Sequence, residues 1–188
     1  MIRLIAEGWV GTRASLRLLA FRPGWQDGFN TSISGFWRSF AAILAAIPMI
    51  LLIQAATARA GGTMSYADQF VVQALSWFIF PVAAAAACFV TGARQAFVRW
   101  TVVHNWAVLW LYFYLFVVWM AYTAQILPTF LTALALNIYP YIRVLVHWRV
   151  AYVSLGLPTI TSALAAAAPI LAIELAVMAY LGTLQVPG

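Results

Sequence analysis

The chain has no lysine, one cysteine, two histidines and four acidic residues, and only 7% of its 188 residues are charged. Each scarcity excludes something. A lone cysteine, Cys88, rules out an intrachain disulfide and any CxxC-type zinc or iron–sulfur site. Placed inside an apolar run, it reads as a small buried hydrophobe. Four acids scattered from Glu7 to Glu174 cannot build a carboxylate cage for a metal. GxSxG, HExxH, Walker and paired-carboxylate patterns are all absent, so the expectation is a protein that is not an enzyme, with no catalytic residues and no metal site.

A soluble domain carries roughly 25% charged residues. With 65% hydrophobic residues and a mean hydropathy of +0.95, this chain could not clothe a water-soluble core. The composition calls for a polytopic α-helical membrane protein. A β-barrel is not expected, because the apolar segments are continuous rather than alternating. The net charge of +6 does not point to nucleic acid, since the arginines gather at one end of the apolar spans, as membrane topology requires. Glu7, Arg13 and Arg17 interrupt any apolar start, so no cleaved signal is expected.

Charge-free intervals mark five crossings of about 20 residues each. They fall at about 39–58, 69–91, 102–125, 128–148 and 158–182. The interval from Arg99 to Arg143 holds two of them, broken at Gln125-Ile126-Leu127-Pro128, where proline suits the start of a returning helix. The fold class is therefore all-α, five transmembrane helices in a domain at 37–188, preceded by a cytoplasmic segment at 1–36. Nine arginines fall on one side under this topology and only Arg59 on the other, counting Arg143 and Arg149 near the last connection. The positive-inside rule then places the N-terminus in the cytoplasm and the C-terminus outside.

The first twenty residues carry Ile2, Ile5, Trp9, Leu16 and Leu19 on one side, with Arg3, Arg13 and Arg17 beside them. That pattern predicts an amphipathic helix lying among lipid headgroups. Interfacial anchors are expected at Trp9, Arg13, Arg17, Trp37, Arg38, Trp100, Trp106, Trp148 and Arg149. Pro48, Pro81, Pro140 and Pro169 sit within four of the spans and read as kinks absorbed by packing.

Two polar groupings carry the candidate chemistry. His104 and His147 lie nearly equidistant from the turn near Ile126, so an antiparallel pair brings the imidazoles to one depth, near the cytoplasmic face. Facing histidines could hold a haem iron or touch a quinone, yet the surrounding tryptophans and arginines favour an anchoring role. Glu174, the one acid well inside a span, would share a polar layer with Gln54 and Gln73, and Asn137 lies nearer the middle. Such a layer could serve a small transporter or channel. No second acid and no base is expected at that depth. Ala168, Ala172 and Ala176, like Ala83 and Ala87, have the spacing of close helix contacts.

GFWRSF at 35–40, HNWAVLW at 104–110 and RVAYVSLGLPTITSALAAA at 149–167 together resemble a group of Yip1-like bacterial inner-membrane proteins. The resemblance covers roughly residues 20 to 182. It implies five helices and an adaptor role among membrane partners, with no catalytic residues. The functional expectation is a non-catalytic accessory or assembly subunit of a larger, energy-transducing membrane complex, working with lipids and other integral membrane subunits and needing no cofactor. A transporter built on Glu174 and a haem or quinone protein built on His104 and His147 are the alternatives.

Overall fold

The computed structural model describes residues 2–184, with side chains from residue 5 onward. The expectations for the side chains of Ile2 and Arg3, and for the last four residues, lie outside the described residues. The chain is all-helical and holds five helical stretches long and apolar enough to cross a membrane. The order is α1 (Ile2–Leu19), a short 3₁₀ turn at Gln26–Gly28, α2 (Ile33–Ser39), α3 (Ala41–Arg59) and α4 (Tyr66–Val90), then α5 (Phe97–Ala107), α6 (Leu109–Thr123), α7 (Thr129–Leu155) and α8 (Thr159–Thr183). α2 with α3 forms the first crossing, and α5 with α6 the third; α4, α7 and α8 are one crossing each.

The boundaries follow local chemistry. Ser32 caps α2 by accepting a hydrogen bond from the Gly35 amide at 3.1 Å, and Ser65 caps α4 by accepting from the Asp68 amide at 3.1 Å. The turn between α6 and α7 places Gln125 in the left-handed region (φ 59°), and Pro128 opens α7. Gly156 ends α7 at φ 67°, a conformation glycine adopts without strain, and Pro158 prevents continuation. α7 therefore runs to Leu155 and not to 148. Arginine within a helix does not end it; only the backbone chemistry at Gly156 and Pro158 does.

α8 packs along α4 and α7, α6 packs on α3 and α7, and α3 and α4 meet only sparsely. α5 fills the space between the other helices at the α1 end, and every residue from Trp100 to Ala107 is buried. α1 docks here through small residues. Gly11 lies so close to Trp106 that an added Cβ would sit 3.0 Å from its indole, and the Trp110 Nε1 donates to the Ser15 hydroxyl at 3.1 Å. Trp106 and Trp100 are thus buried inside the protein. As anchors facing headgroups they are corrected, because neighbouring helices cover both rings.

Candidate functional site

A cavity of about 270 Å³ lies within the bundle, and all five crossings line it. α3 contributes Gln54, α4 contributes Gln69, Gln73 and Ser76, and the third crossing contributes His104 and Tyr112. α7 adds Tyr139, Arg143 and His147, and α8 adds Glu174. The remaining wall is apolar, with Ile50, Val108, Leu111, Leu115, Ile173 and Val177. The two polar groupings expected from the sequence at separate depths belong to one site.

Helical spacing puts His104 and His147 together, as the hairpin register requires. Their ring centres are 4.9 Å apart and both side chains are 5% exposed. His147 Nδ1 pairs with the Arg143 carbonyl at 2.8 Å, four residues back on the same helix. Since a carbonyl only accepts, that nitrogen carries the hydrogen and Nε2 is left as the acceptor of the neutral ring. His104 stacks face to face on Phe80, with centres 3.2 Å apart, and its Nδ1 is sealed without a partner. A buried N–H is left without a partner more rarely than a buried acceptor. The His104 hydrogen is therefore placed on Nε2. The anchoring role is corrected: the pair lies within the protein, because α7 continues two turns beyond His147.

Arg143 forms an ion pair with Glu174 between α7 and α8. This overturns two expectations at once. Arg143 does not lie near a loop, and Glu174 does have a base at its depth. Counting from Leu155, Arg143 lies about 18 Å along α7, close to the helix middle. A charge at that depth persists where it is paired or faces a cavity, and both conditions hold here. Arg143 accordingly leaves the set of nine arginines assigned to one side. Alongside, the Tyr112 hydroxyl donates to Gln73 Oε1 at 2.7 Å, and the Tyr112 ring stacks on Trp77.

Asn137 is not part of the site. It is exposed and donates to the Ala133 carbonyl of its own helix at 2.9 Å. Among the described residues no group of histidine, cysteine, aspartate or glutamate could hold a metal ion. A haem between the two histidines does not fit either. With each metal–nitrogen bond about 2 Å long, an iron between two imidazoles would hold the ring centres about 6 Å apart. The observed 4.9 Å is too short for that, and a cavity of this size takes a single small ring system, not a porphyrin.

Sequence reasoning missed Arg143, Tyr112, Tyr139 and Trp77 as members of the site. Arg143 offered a usable signal: it stands four residues before His147, hence on the same helical face. The aromatic residues gave none: Tyr112 is lost in an α6 that is aromatic all round, and Trp77 and Tyr139 stand in apolar runs of α4 and α7 with nothing to set them apart. No family model, curated protein or solved structure matches the chain.

Proposed function

We propose that this membrane protein binds a quinone-class amphiphile, its ring in the central cavity and its tail leaving between α3 and α4. The observation that carries the reading is a cavity lined by all five crossings, with a few polar groups set in a mostly apolar wall and a sparsely packed helix seam at its border. A quinone head is flat and largely apolar, and its two carbonyls only accept hydrogen bonds. The cavity offers donors to match in Arg143, the His104 imidazole and the Tyr139 hydroxyl, set in aliphatic walls. Depth supports the same class, since a prenylated ring moves among acyl chains whereas a water-soluble solute needs an open path. His104 and His147 are the lining residues nearest the α1 end, and the buried α5 lies across the cavity there.

The test is titration of the purified chain in nanodiscs with a short-tailed benzoquinone, read by quenching of tryptophan fluorescence. Trp77 lines the cavity, so a bound ring should quench it. Replacing His104 by Phe should weaken binding about tenfold, the worth of one hydrogen bond to a polar partner. Saturable binding that survives both His104→Phe and Arg143→Gln with Glu174→Gln, or no saturable quenching in the unaltered chain, overturns the reading.

The subunit reading keeps support of its own, and the adaptor role implied by the Yip1-like resemblance belongs with it. α8 buries Ser162, Ala165 and Ala166, leaving Ala168 exposed and Ala172 and Ala176 partly so. That uncovered stripe suits close approach by another helix. Extraction in gentle detergent and native-gel sizing should then give a defined assembly larger than one 20.7 kDa chain. A lone small particle counts against it. The arginine distribution supports a cytoplasmic α1 end, and the Yip1-like resemblance supports a bacterial inner membrane with the far end of α8 towards the periplasm.

A further inference from the structure

The α1 helix has two working sides, and they are not the same side. Gly11, Ala14, Ser15 and Leu18 face the bundle and are buried. Ile5, Trp9 and Leu16, which share a different stripe of the wheel, remain 67%, 65% and 46% exposed. The arginines around α1 divide in the same way. Arg38 pairs with Glu7 at 3.3 Å, and Arg149 reaches the Leu18 carbonyl at 3.4 Å while its guanidinium lies over the Phe21 ring. Those two pin the helix to the bundle at both ends. Arg13, Arg17 and Arg22 are exposed and form no ion pair among the described residues. The loop after α1 folds back, setting Gly28 against Ala14, so that Arg13 and Arg17 border one hollow with Asp27 and a second with Arg22.

From this we infer that Arg13, Arg17 and Arg22 form a binding site for the phosphate headgroup of an anionic phospholipid, with Ile5, Trp9 and Leu16 seated in the acyl layer beside it. Charge complementarity selects an anion. The neighbouring apolar stripe, exposed and anchored by a tryptophan, selects a lipid over a soluble phosphate or an acidic protein surface, because only a lipid layer offers apolar and anionic groups side by side. The docked face fixes the orientation of the site, so it is built in before lipid arrives. It lies on α1 and its loop, apart from the cavity, and does not depend on what the cavity holds.

The experiment is native mass spectrometry of the full chain released from mixed detergent–lipid micelles containing equal phosphatidylglycerol and phosphatidylcholine. The unaltered protein should retain phosphatidylglycerol preferentially, and added salt should weaken that preference. R13Q/R17Q/R22Q should lose it by roughly a hundredfold, given the attraction each basic residue contributes at a lipid surface. R13K/R17K/R22K, which keeps the charge, should hold the preference within a few-fold, and Arg59→Gln at the opposite end should leave it unchanged. Inorganic phosphate in excess should not displace the lipid. A triple glutamine variant with undiminished preference, or displacement by inorganic phosphate alone, overturns the assignment. If the glutamine variant fails to fold, Ile5→Gln with Trp9→Gln tests the lipid half: its unchanged retention of phosphatidylglycerol would sink the idea equally.

Discussion

At the scale of single residues, the decisive contact is Arg143 with Glu174. An uncompensated charge inside a membrane helix costs about 2.5–3.5 kcal/mol. Glu174→Ala should therefore destabilise the chain by about 2 kcal/mol, somewhat less than that cost because the Arg143 side chain left behind keeps 24% of its surface exposed. Arg143→Met combined with Glu174→Gln removes both charges and should recover most of that loss, as replacement of a buried pair commonly does. Reversible unfolding of Glu174→Ala, Arg143→Met and the double variant in mixed micelles measures it. A double variant no better than the worse single one would show that the two residues act separately. The pairing of the histidines is legible in the sequence, because a hairpin register depends only on counting residues from its turn. The role of Arg143 is not. A charge in an apolar sequence reads as a boundary, and only the partner on α8 reveals that it lies in the interior.

At the scale of elements, α1 is held by a close approach and not by its own apolar stripe. The sequence pattern is that of an amphipathic helix, which by itself sends the largest apolar residues to whatever surface would cover them. The fold uses the small residues against protein, since small side chains let Trp106 reach the helix backbone, and leaves Ile5 and Trp9 outside. Gly11→Leu, which would drive a side chain into the Trp106 ring, should release α1 while the bundle persists. Ser15→Cys, introduced beside it, should pass from protected to rapidly labelled by a soluble maleimide. Cys88 is 1% exposed and gives little background. Protection that survives Gly11→Leu would mean that other contacts, among them Arg38 with Glu7, suffice to hold the helix.

At the scale of the whole molecule, an odd number of crossings would leave α1 and the end of α8 on opposite sides of the membrane. Cysteines placed at Met64, between α3 and α4, and at Gln95, between α4 and α5, report the two sides separately. With the α1 end in the cytoplasm, an impermeant maleimide added to intact cells should label the cysteine at 64 and spare the one at 95. The reverse pattern would invert the molecule. The count of arginines behind this expectation survives the removal of Arg143, because Arg38, Arg94, Arg99 and Arg149 all lie in the halves of their crossings nearer the α1 end, against Arg59 alone at the other.

Hydropathy alone determined that this chain forms five helices long and apolar enough to cross a membrane, because backbone polar groups in lipid must be satisfied within helices and each helix must be long enough to span. Turn chemistry at Pro128 and the spacing of charges set where most crossings begin and end. What only the tertiary structure decided is which polar residues meet. Gln54, Gln73, His104, His147 and Glu174 are separated along the chain by as many as 120 residues, and each alone fits a shallow anchor or an isolated buried group. Their convergence with Arg143 on one cavity depends on how each helix is rotated and on which neighbours it packs against. In a membrane, hydrophobicity does not favour one apolar face over another, so rotation is set by small-residue packing and interhelical polar contacts, which a single sequence does not display.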